Sequence, residues 1–77
     1  MLALLGKKVF VFCGSYHYHG TVSAVNKDEF ALSNPYIVYE SGAWTNKTFT
    51  NAQALPTKEL FIRFAAVESY FESGYAL

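Results

Sequence analysis

A chain of 77 residues makes at most one small domain, and a domain that small buries only about 60% of its unfolded surface, so disulfides, metals or oligomerisation commonly support it. A single cysteine, Cys13, excludes an internal disulfide framework and a zinc ribbon or finger, which leaves oligomerisation as the expected support. Hydrophobic residues at 52%, aromatics at 18% and charged residues at 16% argue against intrinsic disorder, and six basic against six acidic residues do not indicate a strongly basic nucleic-acid binder.

The charges are unevenly spread. Residues 1–27 carry Lys7, Lys8 and Lys27 and no acid, whereas residues 28–77 set Lys47, Lys58 and Arg63 against Asp28, Glu29, Glu40, Glu59, Glu68 and Glu72. Residues 1–5 are too short for a signal h-region, and the basic residues follow them rather than precede them. No apolar run approaches the roughly 20 residues that span a bilayer. The expectation is a soluble, reducing, cytoplasmic setting with no membrane partner, and Cys13 as a small buried hydrophobe.

In chain order, residues 2–5 fit one helical turn or an apolar plug, closed by Gly6. Residues 8–13 form the clearest strand, with Val9, Val11 and Cys13 on one face and Phe10 and Phe12 on the other, so both faces are expected to be covered. Gly14-Ser15 is a turn. A second strand runs from Tyr16 to Val25, and Gly20 within it signals a bend, a bulge or a close backbone approach. Asn26-Lys27-Asp28-Glu29 reads as a tight hairpin turn.

The third strand starts at Phe30-Ala31-Leu32, kinks at Ser33-Asn34-Pro35 and continues through residues 36–40. Residues 41–57 are the longest candidate loop, although Trp44 and Phe49 argue against plain disorder and suggest a cap on the core or on a partner. Residues 60–64 form a fourth strand, with Leu60, Ile62 and Phe64 on one face and Phe61 and Arg63 on the other. A short edge strand follows at 67–71, and residues 72–77 read as a loose tail. Five strands with short turns in one domain of residues 1–77 imply a mainly β fold: a small, strongly bent antiparallel barrel with at most a short N-terminal helical turn.

This order of residues resembles the Sm/LSm family. The first motif reads Gly6-Lys7-Lys8-Val9-Phe10-Val11, then Tyr18-His19-Gly20-Thr21-Val22-Ser23-Ala24-Val25-Asn26, with Phe30, Leu32, Ile37 and Val38 in the third strand. The counterpart of the second motif is Ile62-Arg63-Phe64-Ala65-Ala66-Val67. The resemblance covers residues 6–40 and 59–71. It implies an SH3-like barrel whose fourth strand pairs with the fifth strand of a neighbour, closing a cyclic homo-oligomer and so removing exposed strand edges. On that basis Leu60, Phe61, Ile62, Phe64, Val67 and Tyr70 are candidate subunit-interface residues.

The resemblance also implies an RNA site near the ring's pore, with Arg63, Asn26, Lys27, Asp28 and Phe30 as its candidates. Uridine-binding members carry Asp at the position of Asn26, a base-stacking residue at that of Asp28 and often Asn at that of Phe30. In this chain a carboxylate, which repels phosphate and offers no π face, replaces the stacking platform. The glycine and asparagine that follow the family arginine are Phe64 and Ala66. Ring assembly therefore carries over more directly than uridine recognition.

Other residues have plainer readings. His17 and His19 share one strand face, but no third metal ligand is placed beside them, so they are read as ordinary strand histidines and no metal or cofactor is expected. Lys7, Lys8 and Lys27 are solvated lysines or a phosphate-binding rim. The aromatics around Tyr36, Tyr39, Trp44 and Phe49 fit base stacking or a peptide grip, but most are read as core or interface. No catalytic set is apparent, so neither an enzyme nor a small-molecule substrate is expected. The leading reading is a ring that binds single-stranded RNA. Its alternatives are a structural ring without an RNA site and a monomeric SH3-like module that grips a peptide.

Overall fold

β1 (Lys8–Cys13) is the hub of the fold, hydrogen-bonded on one side to β2 (Tyr16–Val25) and on the other to β6 (Val67–Glu72). The computed structural model describes residues 1–75. A single antiparallel sheet of six strands holds the chain, in the order β4-β3-β2-β1-β6, with β5 also paired to β3. The fold is mainly β. The residues outside the strands include two single-turn 3-10 segments, Leu2–Leu4 and Phe64–Ala66.

The alternation in β1 acts as the sequence predicts. Val9, Phe10 and Val11 are all fully buried. Val9 and Val11 join Val22, Phe30, Leu32 and Ile62 in the main core, with Met1, Leu4, Tyr18, Leu60, Phe64 and Val67 packed around it. Phe10 and Phe12 project the other way, into a separate aromatic layer described below. Cys13 is half-buried against the core rather than fully inside it.

β3 (Glu29–Glu40) is the longest strand, and its kink divides its labour. Residues 29–33 pair with β5 (Glu59–Arg63), and residues 36–40 pair with β4 (Asn51–Ala54). Between them Asn34 takes a left-handed backbone (φ 48°) and Pro35 is buried. Asn tolerates this region better than most side chains, which suits it to the corner.

The stretch 41–57, expected to be a loop, therefore contains a strand. Asn-Ala-Gln-Ala has weak intrinsic strand preference. It becomes β4 because the kinked half of β3 offers it a free row of hydrogen-bonding groups. β4 and β5 lie on the same edge of β3 and are one strand interrupted at residues 55–58, where Pro56 has no N–H to donate. The interruption is tied down by the Leu55 N–H donating to the Pro35 carbonyl at 2.9 Å. This is why six strands are found where five were expected. β5 also ends one residue early, and Phe64 opens the 3-10 turn that leads into β6.

Gly20 sits where the β2–β3 register shifts, between His19 and Thr21. A Cβ there would lie 2.9 Å from the Ser33 carbonyl oxygen and 3.0 Å from the Leu32 Cβ. Both atoms belong to the paired strand and cannot yield cheaply. Gly20→Ala is expected to lose about 1–3 kcal/mol by overpacking. Gly74→Ala, with nothing within 4 Å of its Cβ, is the control and should be close to neutral in the same urea titration. Equal stability of the two variants would refute the close approach.

Among the described residues the sheet is not closed: β5 pairs only with β3, and β6 only with β1. The expected tail also differs: Glu72 ends β6 and Tyr75 is buried, while residues 76–77 lie outside the described residues.

Candidate functional site

The β2–β3 turn is built by Asn26. Its N–H donates to the Glu29 carbonyl at 2.9 Å, and its Oδ1 accepts from the N–H groups of Asp28 and Glu29, each at 2.9 Å. The Phe64 N–H donates to the Asp28 carbonyl at 3.0 Å, which pins the turn to the end of β5. Arg63, the last residue of β5, is the register partner of Glu29. The tertiary fold thus gathers Asn26, Lys27, Asp28, Glu29 and Arg63 at one end of the sheet.

The gathered side chains are unequal. Lys27, Asp28 and Arg63 are exposed. Asn26 spends its side-chain oxygen on the turn. Phe30 is 1% exposed, sits in the core and tilts against Phe64 with ring centroids 5.2 Å apart. It is a core residue, not a base-stacking surface. A cation beside a carboxylate can anchor one phosphate or pair with an acid, but it offers a base no platform.

The six expected interface residues also divide. The pleat of β5 sends Leu60 and Ile62 inward, and Phe64 and Val67 pack on the same core. Phe61 is 63% exposed and Tyr70 is 40% exposed, so these two present surface at the two unpaired edges. Tyr70 also accepts a hydrogen bond from the N-terminal ammonium at 3.2 Å.

A second arrangement lies on the outer face of β1 and β2. Phe10 faces His19 across the strand pair, and Phe12 faces His17. The segment 41–50 and the chain after β6 fold over them. Phe71 stacks flat on Phe10 (5.6 Å, 2°), and Phe49 meets Phe10 edge-on at 5.5 Å. Phe49 and Tyr75 stack at 4.1 Å. Trp44 stands edge-on to Phe10 at 5.6 Å yet is 59% exposed. Trp44 and its neighbours border an open cleft of about 670 Å³.

His19 is the buried polar group of this layer. One ring nitrogen, Nε2, is 2.8 Å from the Ser73 hydroxyl, and the other, Nδ1, is buried with no partner among the described residues. The charged ring would bury an unpaired N–H⁺. Burial first, and the charge of Lys8 second, push its pKa down to about 4. The Cys13 thiol is pushed up, first by burial and then by the Glu68 carboxylate, which is the wrong direction for a thiolate nucleophile. Among the described residues no group of three or more His, Cys, Asp or Glu is assembled to hold a metal ion.

The signals for this aromatic layer were present but dispersed. Phe10, Phe12, His17 and His19 alternate on adjacent strands, and Trp44 and Phe49 stood out in the candidate loop. Nothing local says that the loop folds back onto that face, and Tyr75 lies in a segment read as a tail. Lys47 and Asn46, on the rim of the cleft, carried no signal at all.

No known protein family, curated protein or solved structure matches the chain. The described residues form an antiparallel, mainly β fold with two unpaired sheet edges and an aromatic outer face. Among the described residues no helix is long and apolar enough to cross a membrane.

Proposed function

We propose that the chain is the subunit of an Sm-like ring that contacts single-stranded RNA without covalent chemistry, in a reducing, cytoplasmic setting. The observation that carries this reading is the pair of unpaired edges, β5 and β6, at separate places in one sheet. Counting β4 and β5 as one interrupted strand leaves five strands, the number expected of the SH3-like barrel that the resemblance implies. The two free edges are then its fourth and fifth strands, the pair that joins neighbours in the family the sequence resembles. Edge-to-edge pairing that closes into a ring satisfies both rows of backbone groups. Phe61 on β5 and Tyr70 on β6 supply apolar area at the joint. Arg63 and Lys27 supply phosphate contacts, which repetition around the ring would make effective through multivalency.

A second reading has its own support. Asn26 is committed to the turn and Phe30 to the core, so a ring that serves assembly alone fits the same geometry.

Native mass spectrometry tests the first step. One closed oligomer of about five to eight copies is expected, and Phe61→Lys should shift it toward monomer. A monomer at micromolar concentration would sink the ring and leave the peptide-gripping module. Titration with the four RNA homopolymers at low salt then separates the ring readings. RNA binding predicts that Arg63→Ala loses affinity with the ring intact, whereas no binding to any homopolymer leaves the scaffold.

A further inference from the structure

The cleft beside Trp44 has the shape and chemistry of a ligand site that the ring reading does not use. Its volume of about 670 Å³ is within the range of small-molecule pockets. Four of its lining residues are aromatic: Phe12, Trp44, Phe71 and Tyr75. Trp44 stands nearly perpendicular to Phe71 (6.0 Å, 78°) and Tyr75 (6.4 Å, 84°), so the rings form corners rather than one closed stack. Trp44 is 59% exposed, so a planar ring entering the cleft can pack against it and against the neighbouring rings.

The polar rim gives the ligand a sign. Asn46 and Lys47 line the cleft, and among the described residues no acidic side chain does. Glu68 lines an adjoining recess of about 350 Å³, which shares Phe12 and Trp44 with the cleft. A phosphate is therefore attracted at the Lys47 side and repelled at the Glu68 side. We propose that this cleft binds a nucleotide, its base among the aromatic rings and its phosphate at Lys47. The pocket lies within a single subunit and does not depend on ring closure or on Arg63.

Trp44 is the only tryptophan in the chain, so its fluorescence reports directly on the site. Titration with adenosine and uridine monophosphates should give saturable quenching. The uncharged nucleosides should bind more weakly, and Lys47→Gln should weaken the monophosphates about tenfold, as loss of one charge-assisted contact predicts. Trp44→Ala, read by calorimetry with its far-UV spectrum unchanged, should lose binding. Arg63→Ala should leave it unchanged, which separates this site from the proposed RNA contact at the turn. Tetranucleotides binding more tightly than monophosphates identify a strand as the natural source, and equal affinity identifies a free nucleotide; both support the site. The proposal is overturned by absence of saturable quenching with every nucleotide probe, by indifference to Lys47→Gln, or by equal quenching with tetramethylammonium.

Discussion

Phe10→Ala is expected to lose about 3–5 kcal/mol, the range for removing a fully buried phenylalanine. Small domains hold roughly 5–15 kcal/mol in total, so much of the stability goes with this one side chain. The reason lies in its neighbours. The rings of Phe12, Trp44, Phe49 and Phe71 lie between 5.0 and 5.6 Å from it, and Phe71 is stacked flat upon it. They come from β1, the 41–50 segment and β6, so truncation unpins three pieces of chain at once. The thermal midpoint should fall by roughly 15–30 °C at a fixed protein concentration. Limited proteolysis should open first within residues 43–50. A fall of less than about 5 °C would mean that the outer aromatic layer is decoration rather than a second core.

Loss of stability in mild acid is the second large effect, and His19 is its source. The pKa of His19 in the folded protein is about 4, against an ordinary value of 6.5. The unfolded chain therefore binds a proton that the folded chain refuses. The contribution is fully present above about pH 6.5, is lost as pH falls through the window from 6.5 to 4, and changes no further below it. A difference of that size corresponds to about 3 kcal/mol. Urea titrations at pH 7.5, 5.5 and 4 should show the midpoint falling across this window. His19→Gln keeps a hydrogen-bonding group for Ser73 but cannot charge, so its midpoint should be much flatter. Parallel decline of the two proteins, or a His19 ring titrating near its ordinary value by NMR, would refute the assignment.

The two effects arise from one piece of architecture. Phe10 and His19 are register partners across β1 and β2, and both face outward from the main core. In many half-exposed antiparallel sheets that face meets water. In this protein the 41–50 segment and Tyr75 cover it, so the small chain has apolar packing on both sides of its central strands. That arrangement accounts for the high aromatic content without assigning all of it to a neighbouring subunit. It also explains why Trp44, which closes the layer at 59% exposure, is available to a ligand.

Much of the framework was legible in short stretches of sequence. Alternation in residues 8–13 specified a strand covered on both faces. Residues 26–29 marked a tight hairpin turn, which the Asn26 Oδ1 closes by accepting from the N–H groups of Asp28 and Glu29. Gly20 marked a bend, a bulge or a close backbone approach, and Pro35 marked a kink or bulge in the longest strand. Each of these depends on residues within a few positions of one another, or on the stereochemistry of a single residue type, so sequence alone determined them.

What the tertiary structure decided depends on distant partners. Residues 51–54 have little strand preference of their own and pair because β3, once kinked, presents an edge to them. Phe30 was a candidate for base contact and is a core residue, because the hairpin register turns it toward Phe64. Of the candidates for a joint between subunits, Ile62 lies in the core and Leu60, Phe64 and Val67 are partly buried against it, while Phe61 and Tyr70 on the same two segments face outward. Tyr75, read as part of a loose tail, is buried because Phe49 offers it a stacking face from a different part of the chain. Alternation along a strand says which residues share a face. Only the positions of the other segments say which face is the inside, and in this protein both are.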